Sequence, residues 1–152
     1  MNSFDDLVKR VIDRINSPTV LIAQSMGGVI AMLAALAKPQ WVTHLVLTAT
    51  SGGLDMARFD AEDWRPDFSD EYPFVPDWFA RYQHDLTPRL AELIMPTLLV
   101  WGDSDPISPV AVGRELALRL PNATLHIVPG GGHDVAHRLP DEVARKIDAC
   151  LE

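Results

Sequence analysis

The sequence predicts an α/β domain built on a mostly parallel sheet of about four strands, with helices on both faces. Three observations predict it. Short apolar runs at residues 20–23, 42–48, 96–101 and 123–128 alternate with segments of helical spacing, the pattern of parallel strands joined by crossovers. The run at 42–48 holds few charges, as a strand covered on both faces requires. The first, third and last runs lead straight into turns rich in Gly, Ser or Pro, and those turns hold the residues with chemistry to offer.

In order along the chain, Phe4, Leu7, Val8, Val11, Ile12 and Ile15 fall on one helical face, and Ser3 with Asp6 three residues on resembles an N-terminal cap. Asn16-Ser17-Pro18 ends that helix. The strand at 20–23 is followed by a tight turn and a second helix running to about Ala37. Lys38-Pro39-Gln40 then turns the chain into the strand at 42–48. Residues 86–94 read as a short helix, 96–101 as a strand, 109–120 as a helix, 123–128 as a strand and 140–151 as a closing helix. Asp141 and Glu142 suit the positive N-terminal end of the last. No repeat, low-complexity run or dividing linker interrupts this order, so residues 1–152 are expected to form a single domain.

Residues 49–83 differ from the rest. They contain Gly52, Gly53, Pro66, Pro73 and Pro76 and lack a long clean periodicity. Eight aromatic residues fall between Phe59 and Tyr82. From Asp55 to Asp85 there are nine acids against Arg58, Arg65 and Arg81, so most of the net charge of −8 sits here. Such a charge repels a phosphate backbone and argues against nucleic acid as a partner. No apolar run approaches the ~18 residues of a membrane span, and the polar, amphipathic start MNSFDDLVKR does not resemble a secretory signal. The lone Cys150 cannot form an internal disulfide, which fits a reducing, cytoplasmic setting.

The most telling stretch is TVLIAQSMGG at 19–28. Strand, tight turn with a serine at its tip, then helix is how a chain exposes a serine hydroxyl at the carboxyl end of a sheet. The usual pattern is Gly-x-Ser-x-Gly; here Ala23 stands first, with Ser25 and Gly27 in place. A serine at this point could instead cap the helix behind it. Downstream, the strand at 96–101 ends in Gly102-Asp103-Ser104-Asp105, and either acid could reach a histidine. The strand at 123–128 runs into Pro129, three glycines and His133, and the glycines free the imidazole to swing over the serine. His133 and His137 lie four apart, but the glycines and Pro140 oppose a regular helix there, so no metal site is expected.

Through AQSMGG, WGDSDPISP and GGGHDVAHRLP the chain resembles the α/β-hydrolase superfamily from about Pro18 onward. Serine, acid and histidine follow in that family's order. The resemblance implies Ser25 as nucleophile, His133 as base and Asp105 as orienting acid. Its Gly-x-x-Asp-x-x-x-Pro frame fits Gly102, Asp105 and Pro109 and leaves Asp103 as a turn former. It implies the Met26 N–H as the first oxyanion donor. The second donor, which the family draws from a loop upstream of the nucleophile, has no assignable residue. It also implies a short lid at about 52–85, with Trp64, Phe74, Trp78 and Phe79 as substrate-binding aromatics; a plain surface connection is the alternative.

The expected function is therefore hydrolysis of a small, neutral ester or related acyl compound, without a cofactor. The family also includes lactonases, carbon–carbon bond hydrolases and acyltransferases. The resemblance is to the C-terminal portion of the fold, without its N-terminal strands. That leaves the first strand with a bare edge, from which self-association is expected, and it raises a second reading: a catalytically silent interaction or structural domain.

Overall fold

The computed structural model describes residues 1–152. Its centre is a four-stranded, wholly parallel sheet of strands β1 (Thr19–Gln24), β2 (Val42–Thr48), β3 (Thr97–Gly102) and β4 (Ala123–Val128), in spatial order β1-β2-β3-β4. The strands pair in register, Ile22 with Val46, Val46 with Leu98 and Leu98 with Thr124. Because all run the same way, their carboxyl ends share one edge, where crevices form in open α/β sheets.

Side chains alternate across the sheet with period two and divide the core accordingly. Leu45, Leu47, Leu99 and Trp101 face one side. There they join residues of α1 (Phe4–Ile12), α2 (Met26–Ala37) and α5 (Val110–Arg119) in the larger core. Val46, Leu98, Val100 and Val128 face the other side, against Val135 of α6 (Val135–Arg138) and Val143 of α7 (Pro140–Leu151). Helices thus lie on both faces, but the second layer is narrow. Ile22 of β1 faces that side and is 59% exposed.

The Ser3 hydroxyl caps α1 by accepting the Asp6 N–H at 3.1 Å. That helix ends at Ile12, before Ile15, which is nonetheless buried. The segment expected as a helix at 86–94 is a 3-10 helix, Thr87–Glu92. Asp85 accepts the Thr87 N–H at its start, and Arg89 pairs bidentately with Glu92 at 3.0 Å. Residues three apart eclipse in a 3-10 turn, so the tighter geometry suits that pair.

Between β2 and the 3-10 helix the chain forms α3 (Arg65–Glu71) and α4 (Asp77–Arg81). Arg65 ties them together, its Nε donating to the Ala80 carbonyl at 2.9 Å and its guanidinium pairing with Asp63 at 2.8 Å. Tyr82 stacks on Phe4 with ring centroids 3.6 Å apart, which pins this segment to α1. No helix of the chain is long and apolar enough to cross a membrane.

Candidate active site

Three loops at the carboxyl edge of the sheet carry the site. Ser25 directly follows β1 and takes φ 53°, ψ −127°, a conformation that costs a non-glycine residue about 1–3 kcal/mol. Its neighbours enforce it: the Ser25 N–H donates to the Thr48 carbonyl and the Gly28 N–H to the Ser25 carbonyl, each at 2.9 Å. Gly28 is needed for packing, since a Cβ there would lie 2.6 Å from Thr50 Oγ1. Gly27 faces Ala23, and a Cβ on it would meet that side chain at an ordinary 3.8 Å, so Ala23 fits the corner. The Ser25 hydroxyl caps nothing in α2. It lies 3.1 Å from His133 Nε2 instead.

His133 Nδ1 is in turn 2.9 Å from Asp105 Oδ2. The Asp105 side chain is fully buried, and its other oxygen accepts the N–H groups of Ile107 and Ser108, both at 2.9 Å. Those two bonds and the imidazole use both carboxylate oxygens, which aims Oδ2 at the ring. Residues 25, 105 and 133 therefore form one hydrogen-bonded line. Asp103 does not join it. Its Oδ1 accepts the Gly130 N–H at 2.7 Å and the Ser104 hydroxyl at 3.1 Å, so it bridges two loops instead of merely forming its own turn.

Beside Ser25 opens a cleft of about 550 Å³. Met26, Val29, Leu54, Met56, Trp64 and Ile107 give it apolar wall, and Asp55, Glu62, Asp63 and Asp85 give it carboxylates. Asp63 is held below the usual carboxylate range first by the Arg65 backbone N–H and then by the Arg65 side chain. Asp85 is lowered by the Thr87 hydroxyl and N–H. Arg65, paired with Asp63 at 2.8 Å, and His84 line the same wall.

Of the four aromatics expected to contact substrate, only Trp64 lines this cleft. Phe79 turns inward between Phe4 and Phe68, with ring centroids 6.3 and 5.7 Å away. Trp78 packs against the larger core, and Phe74, between α3 and α4, is 80% exposed. For Trp78 and Phe79 the physical reason is that a thin two-helix segment spends aromatic surface on covering the core beneath it, whereas Phe74 stands on the connection between the helices and points to solvent. Sequence reading missed Leu54, Met56 and Ile107, whose apolar character carries no site signature, and Gln24, whose Nε2 donates to the His133 carbonyl at 3.0 Å.

A parallel α/β sheet with a strained serine after its first strand and a histidine and buried carboxylate on neighbouring loops defines a hydrolase-type architecture. The chain belongs to the alpha/beta hydrolase family, whose model matches residues 2–146. It is 28% identical to the uncharacterized hydrolase YugF of Bacillus subtilis, an alignment covering 95% of this chain and 71% of that protein. It is 27% identical to a 2-hydroxy-6-oxononadienedioate/2-hydroxy-6-oxononatrienedioate hydrolase of Paraburkholderia xenovorans, over 83% of this chain and 60% of that protein. Among solved structures it resembles MenH from S. aureus, with a TM-score of 0.75 and 21% identity, over 98% of this chain and 75% of that one. A serine hydrolase involved in carbazole degradation gives a TM-score of 0.77 at 16% identity, over 99% of this chain and 71% of that one, a likeness of fold.

Proposed function

We propose that this chain is a serine hydrolase acting on a small, neutral ester or related acyl compound. The observation that carries the reading is the continuous line from Ser25 Oγ through His133 to the buried Asp105. Ser25 Oγ attacks the carbonyl carbon while its proton passes to His133 Nε2, and Asp105 holds the imidazole tautomer and steadies the imidazolium. The oxyanion meets the Met26 N–H at the positive end of α2. His133 then protonates the leaving oxygen as its bond to carbon breaks, and water repeats the sequence to release the acid.

Residues 52–85 act as a short lid, with Trp64 as its contact to substrate. The carboxylates of Asp55, Glu62, Asp63 and Asp85 outnumber the one guanidinium of the cleft, Arg65, and this excess favours neutral acyl groups over anions. That preference would separate the chain from the dioate named for its Paraburkholderia relative. The single thiol, Cys150, fits a cytoplasmic setting.

The test is intact mass after incubation with a fluorophosphonate. Covalent labelling reports activation of Ser25 directly and needs no known substrate. One adduct on the native chain, absent from Ser25→Ala, is expected. No adduct on folded native chain would sink the hydrolase reading.

A second reading is favoured by β1, which has a hydrogen-bonded neighbour on one side only and carries the exposed Ile22. Such an edge invites pairing, so the chain would serve as an interaction unit that self-associates there. Sedimentation equilibrium should then show a dimer that Ile22→Lys returns to monomer; a native chain monomeric at high concentration would reject this.

A further inference from the structure

The histidine of the line stands on a loop that the glycines leave intrinsically free, and two side chains outside the line hold that loop in place. Gly130 takes φ 70°, and Gly131 and Gly132 follow before His133. Three consecutive glycines confer more backbone freedom than any other triplet. On one side this loop is joined to the loop of Asp105. The Asp103 N–H donates to the Val128 carbonyl at 3.2 Å and the Ser104 N–H to the Gly131 carbonyl at 2.9 Å. The Asp103 carboxylate completes the join by accepting the Gly130 N–H at 2.7 Å. On the other side Gln24, the last residue of β1 and the neighbour of Ser25, donates through Nε2 to the His133 carbonyl at 3.0 Å.

We propose that Gln24 and Asp103 are positioning residues for His133. Gln24 fixes the base to the strand that presents the nucleophile, and Asp103 fixes it to the loop that presents the acid. The inference rests on reading Ser25, His133 and Asp105 as a catalytic triad. An imidazole is rigid, so its two nitrogens reach Ser25 and Asp105 together only if the main chain at 133 is correctly placed. Displacement by about 1 Å can cost 10²-fold in rate. The chemistry of each tie suits its partner: a carboxamide N–H meets a carbonyl, and a carboxylate meets an N–H in a charge-assisted bond. A turn residue acting only locally would not reach a partner 27 residues away, as Asp103 does.

The test compares Gln24→Met, which keeps length and loses the donor, with Asp103→Ala, which loses the acceptor, and Asp103→Asn, which keeps a neutral one. The readouts are the rate of fluorophosphonate labelling, kcat and KM on a neutral p-nitrophenyl ester, and thermal unfolding. A fourth is the nuclear Overhauser contact between the His133 ring and the Ser25 β-protons. Gln24→Met and Asp103→Ala are expected to lower kcat and labelling about 10- to 100-fold, with KM nearly unchanged. They should also weaken the ring-to-serine contact while the fold still melts cooperatively, and Asp103→Asn should recover most of the loss. Variants that keep both the native contact and the native rates overturn the proposal. If the native chain fails to label, the hydrolase reading falls, and the ring-to-serine contact alone decides whether these two side chains position His133.

Discussion

Asp105→Asn is expected to lower turnover of a neutral ester about 10⁴-fold while leaving the fold standing. The carboxamide oxygen can still accept the Ile107 and Ser108 N–H groups that the carboxylate now accepts at 2.9 Å. Its NH₂ then points at His133 Nδ1 in place of Oδ2. A donor there makes Nδ1 an acceptor and drives the ring proton to Nε2, the nitrogen that receives the proton of Ser25 in the proposed mechanism. The ring sits in the same place with the wrong tautomer. Asp105→Ala is the contrasting variant, since it strands the N–H of the buried Ser108 at about 1–3 kcal/mol and should lower thermal stability as well. Steady-state kinetics with parallel melting curves separate the two. Near-native turnover in Asp105→Asn would remove Asp105 from the reaction.

Gly102→Ala is expected to destabilise the chain by about 3 kcal/mol, the upper end of ordinary overpacking. That corresponds to a fall in Tm of roughly 6–12 °C for a chain of this size. A Cβ at 102 would lie 2.0 Å from the Gly131 carbonyl oxygen and 2.8 Å from Gly131 Cα. These are backbone atoms, so no rotamer relieves the clash, and the loops carrying Asp105 and His133 must part. On the proposed mechanism labelling of Ser25 should fall in step, because His133 moves with Gly131. Gly27→Ala serves as the control, since its new Cβ meets Ala23 at 3.8 Å. A Gly102→Ala chain that melts within about 2 °C of native would show that the loops yield without cost.

Much of the architecture was legible because its signals are local. The runs at 42–48 and 123–128 coincide with β2 and β4, and the strand, turn and helix around Ser25 follow from a short apolar run meeting small residues. The short helix expected at 86–94 is present as the 3-10 helix Thr87–Glu92; its type was not legible, since spacing over so few residues separates periods of 3.0 and 3.6 poorly. The aromatics of 59–82 were the least legible part. Their number signalled a covering segment, but whether Phe79 points to substrate or to Phe4 depends on where α1 lies, and no spacing within the segment encodes that.

The sequence by itself determined the strands, their parallel connection, the strained corner at Ser25 and the chain order of serine, acid and histidine. These depend on side-chain period, turn chemistry and the conformational freedom of particular residues, all properties of a few consecutive positions. Only the tertiary structure decided which residues wall the cleft, that Asp103 bridges to Gly130, and that Gln24 holds the His133 carbonyl across 109 positions of chain. Such contacts exist because four parallel strands bring their carboxyl ends to one edge, so residues remote in sequence become neighbours through sheet register.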